Sequence, residues 1–412
     1  MIAMKYLTLL LFLIANTANA QTETSLSSPA EETSVTKKDC KFVSFVKKLQ
    51  NHLDSSAVRA VDTQYIEVPK LPWRIIARQT FRGCDILSDN LNQLTKDASL
   101  EVRMRFNPGL SFSTGFWVGY RGLGIGFSQK LLKNGITNFG LSGAGARYGF
   151  NFQITSLTTD VVNMTLIGRE PGNDTTMFYK MKMLSPVNIA TLQASGYYVF
   201  NGRRYSQAAA YSQSVIQRRS AGSFLVGAEW IAQNISYEEK ENAGIIALIG
   251  GLGRIRLQQV SVSAGYGYNW VPARGWVINA MVMPTLSVFS QVKSYTYDSN
   301  YKFIVIDNNL PLDGYGKWNS ETQTWENGET HKPISQDDMF AWIADVDMWR
   351  TDVKKTTSYL RPDIYARFGS AYCWKRYFLN IDARINCFYY GAGNNYVRQV
   401  GWSARASFGV RL

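Results

Sequence analysis

Trp402-Ser403-Ala404-Arg405-Ala406-Ser407-Phe408-Gly409-Val410-Arg411-Leu412 alternates without a break: each even position is apolar, each odd one small or charged. A helix would spread such residues round its circumference, whereas a pleated strand sorts them onto two faces. The stretch therefore predicts a β-strand with one oily face. A strand of this kind at the end of a chain suits the closing seam of a transmembrane β-barrel, where the last strand pairs with the first and no edge is left.

The other terminus agrees. Lys5 precedes an apolar run from Leu7 to Ile14, followed by Ala18-Asn19-Ala20. This has the form of a secretory signal cleaved after Ala20, with an apolar core too short to span a bilayer as a helix. Residues 21–38 are rich in Ser, Thr and Glu and predict a flexible leader. Phe42, Phe45, Val46, Leu49 and Leu53 then recur at helical spacing, which predicts a short amphipathic periplasmic helix within 21–60. From residue 61 to 412 no linker divides the chain, so one barrel domain is expected there.

Composition narrows the class. Aromatics make up 13% of the 412 residues, with 23 Tyr, 11 Trp and 33 Gly, a mixture suited to interfacial girdles and close strand packing. The formal charge of +13 would suit nucleic acid, but its Lys and Arg are scattered and the chain reads as exported. Anionic lipid headgroups at strand ends, or a lumen favouring anions, account for it better. Cys40, Cys84, Cys373 and Cys387 form no metal-ligand spacing, and their disulfide connectivity stays open. No cofactor or metal is expected.

Period-two segments run along the remainder. Trp73, Ile75, Ala77, Gln79 and Phe81 share one face, and Leu100 to Phe106 alternates with Glu101, Arg103 and Arg105. Further candidates cover 110–120, 122–132, 144–154, 191–200, 223–232, 258–268, 276–288, 360–368 and 378–389. The expectation is an all-β, antiparallel transmembrane barrel of about 12 strands, roughly 10–14. Its charged faces, Glu101-Arg103-Arg105 and Asp382-Arg384, are expected inside and paired.

The segment 293–357 reads as one long external loop carrying Trp318, Trp325, Trp342 and Trp349, rings able to stack on a sugar or other polar ligand. Catalysis has little to work with. The two histidines are His52 and His331, and the grouping of His331 with Asp337 and Asp338 has no specific spacing. Gly122-Leu123-Gly124-Ile125-Gly126 precedes no phosphate-loop lysine and reads as strand packing.

The most distinctive stretch is Gly196-Tyr197-Tyr198-Val199-Phe200-Asn201-Gly202-Arg203-Arg204-Tyr205-Ser206-Gln207-Ala208-Ala209-Ala210-Tyr211-Ser212-Gln213-Ser214, continuing through Gln217-Arg218-Arg219-Ser220. With Tyr65-Ile66-Glu67, the run from Gly124 to Ser128, and Gly265-Tyr266-Gly267-Tyr268-Asn269-Trp270, it resembles the uncharacterised family catalogued as domain of unknown function 4421, found in exported proteins of Gram-negative bacteria. The resemblance spans about residues 60 to 412 and implies an outer-membrane barrel without a known activity. Gln207 stands where that family's Tyr-Ser-Pro-Ala-Ala form has proline.

Physically, the segment from Tyr205 to Ser223 is polar, basic and irregular. It is either a network filling the barrel or an inward constriction, whose candidate residues are Arg203, Arg204, Tyr205, Gln213, Gln217, Arg218 and Arg219. The functional expectation is passage or docking of a polar or anionic small solute or surface ligand. The alternatives are a membrane-embedded hydrolase or protease, and a structural barrel serving a periplasmic or surface partner protein. Outer-membrane lipid is a partner in each case, and nucleic acid in none.

Overall fold

The computed structural model describes Ser55 and residues 61–93, 99–106, 109–131, 135–170, 173–248, 251–304, 314–319, 321–322, 324–327, 342–392 and 395–412, within one compact unit. The signal segment, leader, amphipathic helix with Cys40 and His52, and the His331–Asp338 group lie outside the described residues. Cys84, Cys373 and Cys387 are free thiols.

A two-residue strand, β1 (Ile66–Glu67), precedes the wall, which begins with β2 (Trp73–Gln93). Next come β3 (Ser99–Phe106), β4 (Ser111–Tyr120), β5 (Leu123–Lys130) and β6 (Gly135–Ala144). β7 (Tyr148–Glu170) and β8 (Asn173–Val199) form a tall hairpin. A one-turn helix, α1 (Gln207–Tyr211), and β9 (Ile216–Gln217) separate it from β10 (Ala221–Ser236). A second short helix, α2 (Ala243–Leu248), leads to β11 (Leu252–Trp270) and β12 (Trp276–Ile304). The small hairpin β13 (Gly314–Asn319) and β14 (Thr324–Asn327) precedes β15 (Trp342–Ser358). β16 (Arg361–Trp374), β17 (Tyr377–Ala392) and β18 (Asn395–Arg411) finish the wall.

Twelve strands, β2-β4-β5-β6-β7-β8-β10-β11-β12-β16-β17-β18, close on themselves with antiparallel neighbours throughout. The seam lies where the terminal alternation places it: β18 pairs β2 from Arg411 opposite Arg74 to Tyr396 opposite Asp89. Leu412 and Trp73 exchange backbone hydrogen bonds of 3.0 and 3.1 Å.

Above the seam's first turns the wall is rebuilt. β3 and β4 pair with successive parts of β2, and β3 pairs on its other edge directly with β7. The hairpin β5–β6 is therefore bridged over at its upper end. The expected strand at 100–106 is thus the upward continuation of β4, while β6, which the alternation missed, supplies the twelfth strand. In β6 the inward Asn138, Gly140 and Ser142 are small, and Gly140 lies under the Trp117 ring, so little apolar periodicity remains. A Cβ on Gly124 or Gly126 would collide with that same ring, so the glycine run is a packing bed. The expected loop at 293–357 is strand over 293–304 and 342–357, where β12 and β15 pair.

Outward apolar residues form a belt between two girdles of rings. At the terminal end stand the pairs Trp73–Tyr120, Tyr148–Tyr198, Phe224–Tyr266 and Trp276–Tyr372, with centroids 4.9, 5.2, 5.2 and 5.6 Å apart. Phe289–Tyr359 marks the other boundary at 6.1 Å, while Phe81–Phe112, 5.3 Å apart, stands within the belt eight residues above Trp73. From Trp276 to Phe289 the strand rises about 43 Å, or about 33 Å of height at the usual barrel tilt, enough for a bilayer core. Between the girdles Val260, Val262, Val282, Ile364, Phe368 and Ile381 are 36–61% exposed. The barrel is built to span a membrane.

Above the belt the faces exchange character. Val102, Met104 and Phe106 are at most 2% exposed and join Ile86, Leu157, Val187, Ile235 and Leu257 in an apolar cluster inside the wall. Glu101, Arg103 and Arg105, expected inside, lie on the outside instead. There Arg105 pairs with Asp85 at 2.7 Å, Arg103 with Asp89 at 3.0 Å, and Glu101 with Arg103 and Arg169 at 2.6 and 2.9 Å. Where the exterior is water, charge belongs on it and oil belongs within.

Candidate functional site

Alternation on four adjacent strands directs arginines into the lower lumen. β2 contributes Arg74, Arg78 and Arg82, β16 Arg367, β17 Arg384, and β18 Arg405 and Arg411. Register brings them side by side: Arg367 opposite Arg384, Asp382 opposite Arg405, Ser403 opposite Arg82. Asp382 is the shared counter-charge, accepting from Arg405 at 2.6 Å and Arg367 at 3.2 Å. Arg384 donates to the Ser403 hydroxyl at 3.0 Å, and Arg78 lies over the Trp117 ring at 4.2 Å. Arg78, Arg82 and Arg384 have no ion pair among the described residues, and the buried Nε of Arg78 and of Arg82 has no hydrogen-bond partner there.

These guanidinium groups line one side of a cavity of about 240 Å³. The facing wall is small and polar: Asn151, Gln153, Gln193, Ser195, Ser261 and Ser263, with Glu229 accepting a hydrogen bond from the Gln193 amide. A second cavity of about 90 Å³ continues upward and shares Arg82, Gln153, Gln193, Arg384 and Ser403. Its upper wall is Ile86, Ile136, Leu157, Ile189 and Ile231, the underside of the apolar cluster. Two carboxylates, Asp382 and Glu229, face five arginines across this chamber.

The floor is the segment 205–217, folded inward from the terminal end. Tyr205, Gln207, the three alanines 208–210, Tyr211, Gln213 and Gln217 are all buried. The wall ties them down. Asn279 donates to the Tyr205 hydroxyl at 3.0 Å and accepts from the Tyr211 hydroxyl. Asn269 donates to the Ser206 carbonyl at 2.9 Å and to Gln217 at 3.0 Å. Asn380 donates to the Ala210 carbonyl at 2.7 Å, Arg411 to that of Gln213 at 3.1 Å, and Arg74 to that of Ser212. Arg367 stacks on the Tyr211 ring at 3.5 Å. Burial pushes the Tyr205 hydroxyl up to about 12 and the Tyr211 hydroxyl well above its ordinary value, so both stay neutral. Gln207 is the first residue of α1, a position that proline also suits, so the departure from the family's proline leaves the helix start intact. Its amide instead contacts the Met281 sulfur at 2.9 Å and borders the chamber.

Of the seven constriction candidates, Tyr205, Gln213 and Gln217 lie in this floor. Arg203, Arg204, Arg218 and Arg219 are exposed beneath it. Arg218 pairs with Glu67 at 3.0 Å, and Arg204 and Arg219 flank the Tyr65 ring at 5.0 and 5.9 Å. With β1 paired to β9, they fasten residues 61–67 across the rim. Trp318 and Trp325 are register partners in the backbone pairing of β13 with β14, and Trp342 and Trp349 lie on β15. Of these four side chains only Trp349, 39% exposed, is among those described. The chamber's arginines carried a usable signal, every second or fourth position of an alternating strand, but periodicity does not say which strands adjoin.

A family model described as domain of unknown function (DUF4421) matches residues 61–411. No curated protein sequence matches the chain. Among solved structures, the translocator domain of the autotransporter NalP from Neisseria meningitidis aligns at TM-score 0.30 and 9% identity, covering 90% of this chain and 98% of that one. The outer membrane protease OmpT from Escherichia coli aligns at TM-score 0.37 and 7% identity, covering 84% and 97%. The Pseudomonas putida toluene transporter TodX aligns at 0.25 and 9% identity, covering 84% and 91%.

Proposed function

The chain belongs to the family described as domain of unknown function (DUF4421), and from its own geometry we propose that it is an outer-membrane barrel that docks a small anionic solute in its internal chamber. The supporting observation is the charge imbalance of a confined space. Arg78, Arg82 and Arg384 face the cavity without ion pairs among the described residues, while Asp382 already serves Arg367 and Arg405. Buried charge is costly until it is paired, and guanidinium groups match the oxygens of a phosphate, sulfate or carboxylate in bidentate geometry.

Docking fits better than free passage. The floor is held by side-chain bonds from β12, β11, β17 and β18, and the ceiling is aliphatic, a poor path for an ion. The termini then face the periplasm and the tall hairpins the exterior. The reading assigns the chamber binding and no chemical step.

Thermal unfolding of the purified barrel in detergent, titrated with inorganic phosphate against chloride at matched ionic strength, tests the proposal. A saturable rise in midpoint is expected, as for any ligand of the folded state. An Arg82→Gln, Arg384→Gln variant should lose it. Equal responses to both salts, or an open steady conductance in planar bilayers, would sink the docking reading.

A further inference from the structure

A second basic cluster lies on the outer face, just above the apolar belt. Register sets Arg256 of β11 opposite Lys293 of β12, and Lys293 opposite Lys355 of β15. Directly paired residues share a face of the sheet. Val292, the neighbour of Lys293, belongs to the apolar interior, so this row of three cations points outward. One step further from the belt, the Tyr295 ring has the guanidinium carbons of Arg254, Arg256 and Arg350 at 5.9, 5.4 and 5.9 Å from its centre. Glu238 balances Arg254 at 3.1 Å, but Arg256, Lys293 and Lys355 have no ion pair among the described residues. Like charges side by side in a sheet repel, so the row favours an anion lying across it.

Height identifies the anion. Outward on β11, Val262 and Val260 are in the belt, at 42% and 36% exposure, then come Gln258 and Arg256. Four residues of strand rise about 13 Å, or about 10 Å at barrel tilt. That places the row in the headgroup layer bordering the hydrocarbon, within reach of long cationic side chains. The Phe289–Tyr359 ring pair, on β12 and in the link between β15 and β16, marks the same boundary. We infer that Arg256, Lys293 and Lys355 dock the phosphate headgroup of an anionic membrane lipid in the leaflet at the loop end, with Tyr295 holding the adjoining guanidinium groups in place. This inference stands apart from the chamber, whose arginines face the lumen.

Native mass spectrometry of the delipidated full chain, offered equal phosphatidylglycerol and phosphatidylcholine of matched acyl chains, tests it. Retention of phosphatidylglycerol is expected to exceed that of phosphatidylcholine by about fivefold or more, the factor that one basic residue near a membrane surface contributes. In an Arg256→Gln, Lys293→Gln, Lys355→Gln variant the ratio should fall toward one. The single Lys355→Gln change, on an exposed side chain, should lower it in part and guards against misfolding of the triple variant. Lys375→Gln with Arg376→Gln, in the turn at the opposite end, should leave it unchanged. A preserved ratio in the triple variant, or an equal loss in the turn variant, overturns the inference. So does loss of the preference in excess inorganic phosphate, which would mark a site for free anions instead of a lipid.

Discussion

The lower and upper halves of this barrel share one backbone rule and obey opposite chemical ones, and β11 carries both in a single strand. Its outward residues begin at the loop end as Arg254, Arg256 and Gln258 and become Val260, Val262, Tyr266 and Tyr268. Its inward residues begin as Ile255 and Leu257 and become Gln259, Ser261 and Ser263. The alternation does not slip; the solvents change places around it. At the belt the exterior is hydrocarbon, so polar side chains turn inward and form the chamber. Above the belt the exterior is water, so aliphatic side chains turn inward and line its upper end.

That exchange makes the cost of a substitution on one face depend on its height. The largest effect is expected for Leu257→Asp, which puts a charge into the upper apolar cluster, where Leu257 is 1% exposed. It should cost more than about 4 kcal/mol, an extreme value for one substitution, and abolish the heat-modifiable folded band on a gel. Ser263→Asp, lower on the same inward face and opening on the chamber, should leave that band intact. Equal behaviour of the two would erase the distinction between the zones.

An intermediate effect is expected for Val262→Arg, which places a cation against lipid. Equilibrium denaturant unfolding should show a loss of about 1–3 kcal/mol, between the values for arginine at the midplane and at the interface, because Val262 lies two residues below the level of Phe289. The smallest is expected for Arg105→Ala, on the outside of the upper zone. Its ion pair with Asp85, at 2.7 Å, is water-exposed, so the same measurement should register under about 1 kcal/mol. A cost matching that of Val262→Arg would show that the upper exterior is not an aqueous surface.

The expected strand count of about twelve agrees with the wall, yet one strand was exchanged for another. In the sequence, 100–106 reads as a strand of its own although it continues β4, and β6 carries no apolar alternation because Asn138, Gly140 and Ser142 make room for Trp117. The upper parts of β12 and β15 read as loop because Lys293, Tyr295, Asp352 and Lys355 lack the oily outward face that marks a strand in lipid. The floor segment announced itself by failing to alternate, and its buried Tyr205, Gln213 and Gln217 follow from that irregularity. Its arginines were harder to place, since a residue two positions from a buried one can already stand outside the rim.

What the sequence alone determined is the period of two, the apolar outward face of the membrane-level strands and the terminal seam from Trp402 to Leu412, because pleating sorts neighbours onto opposite faces whatever surrounds them. Tertiary structure alone decided which face is wet at each height, and that Arg78, Arg82, Arg367, Arg384 and Arg405 converge on one chamber. Those arginines come from strands up to 327 positions apart in the chain, Arg78 to Arg405, and only closure of the wall makes their charges neighbours.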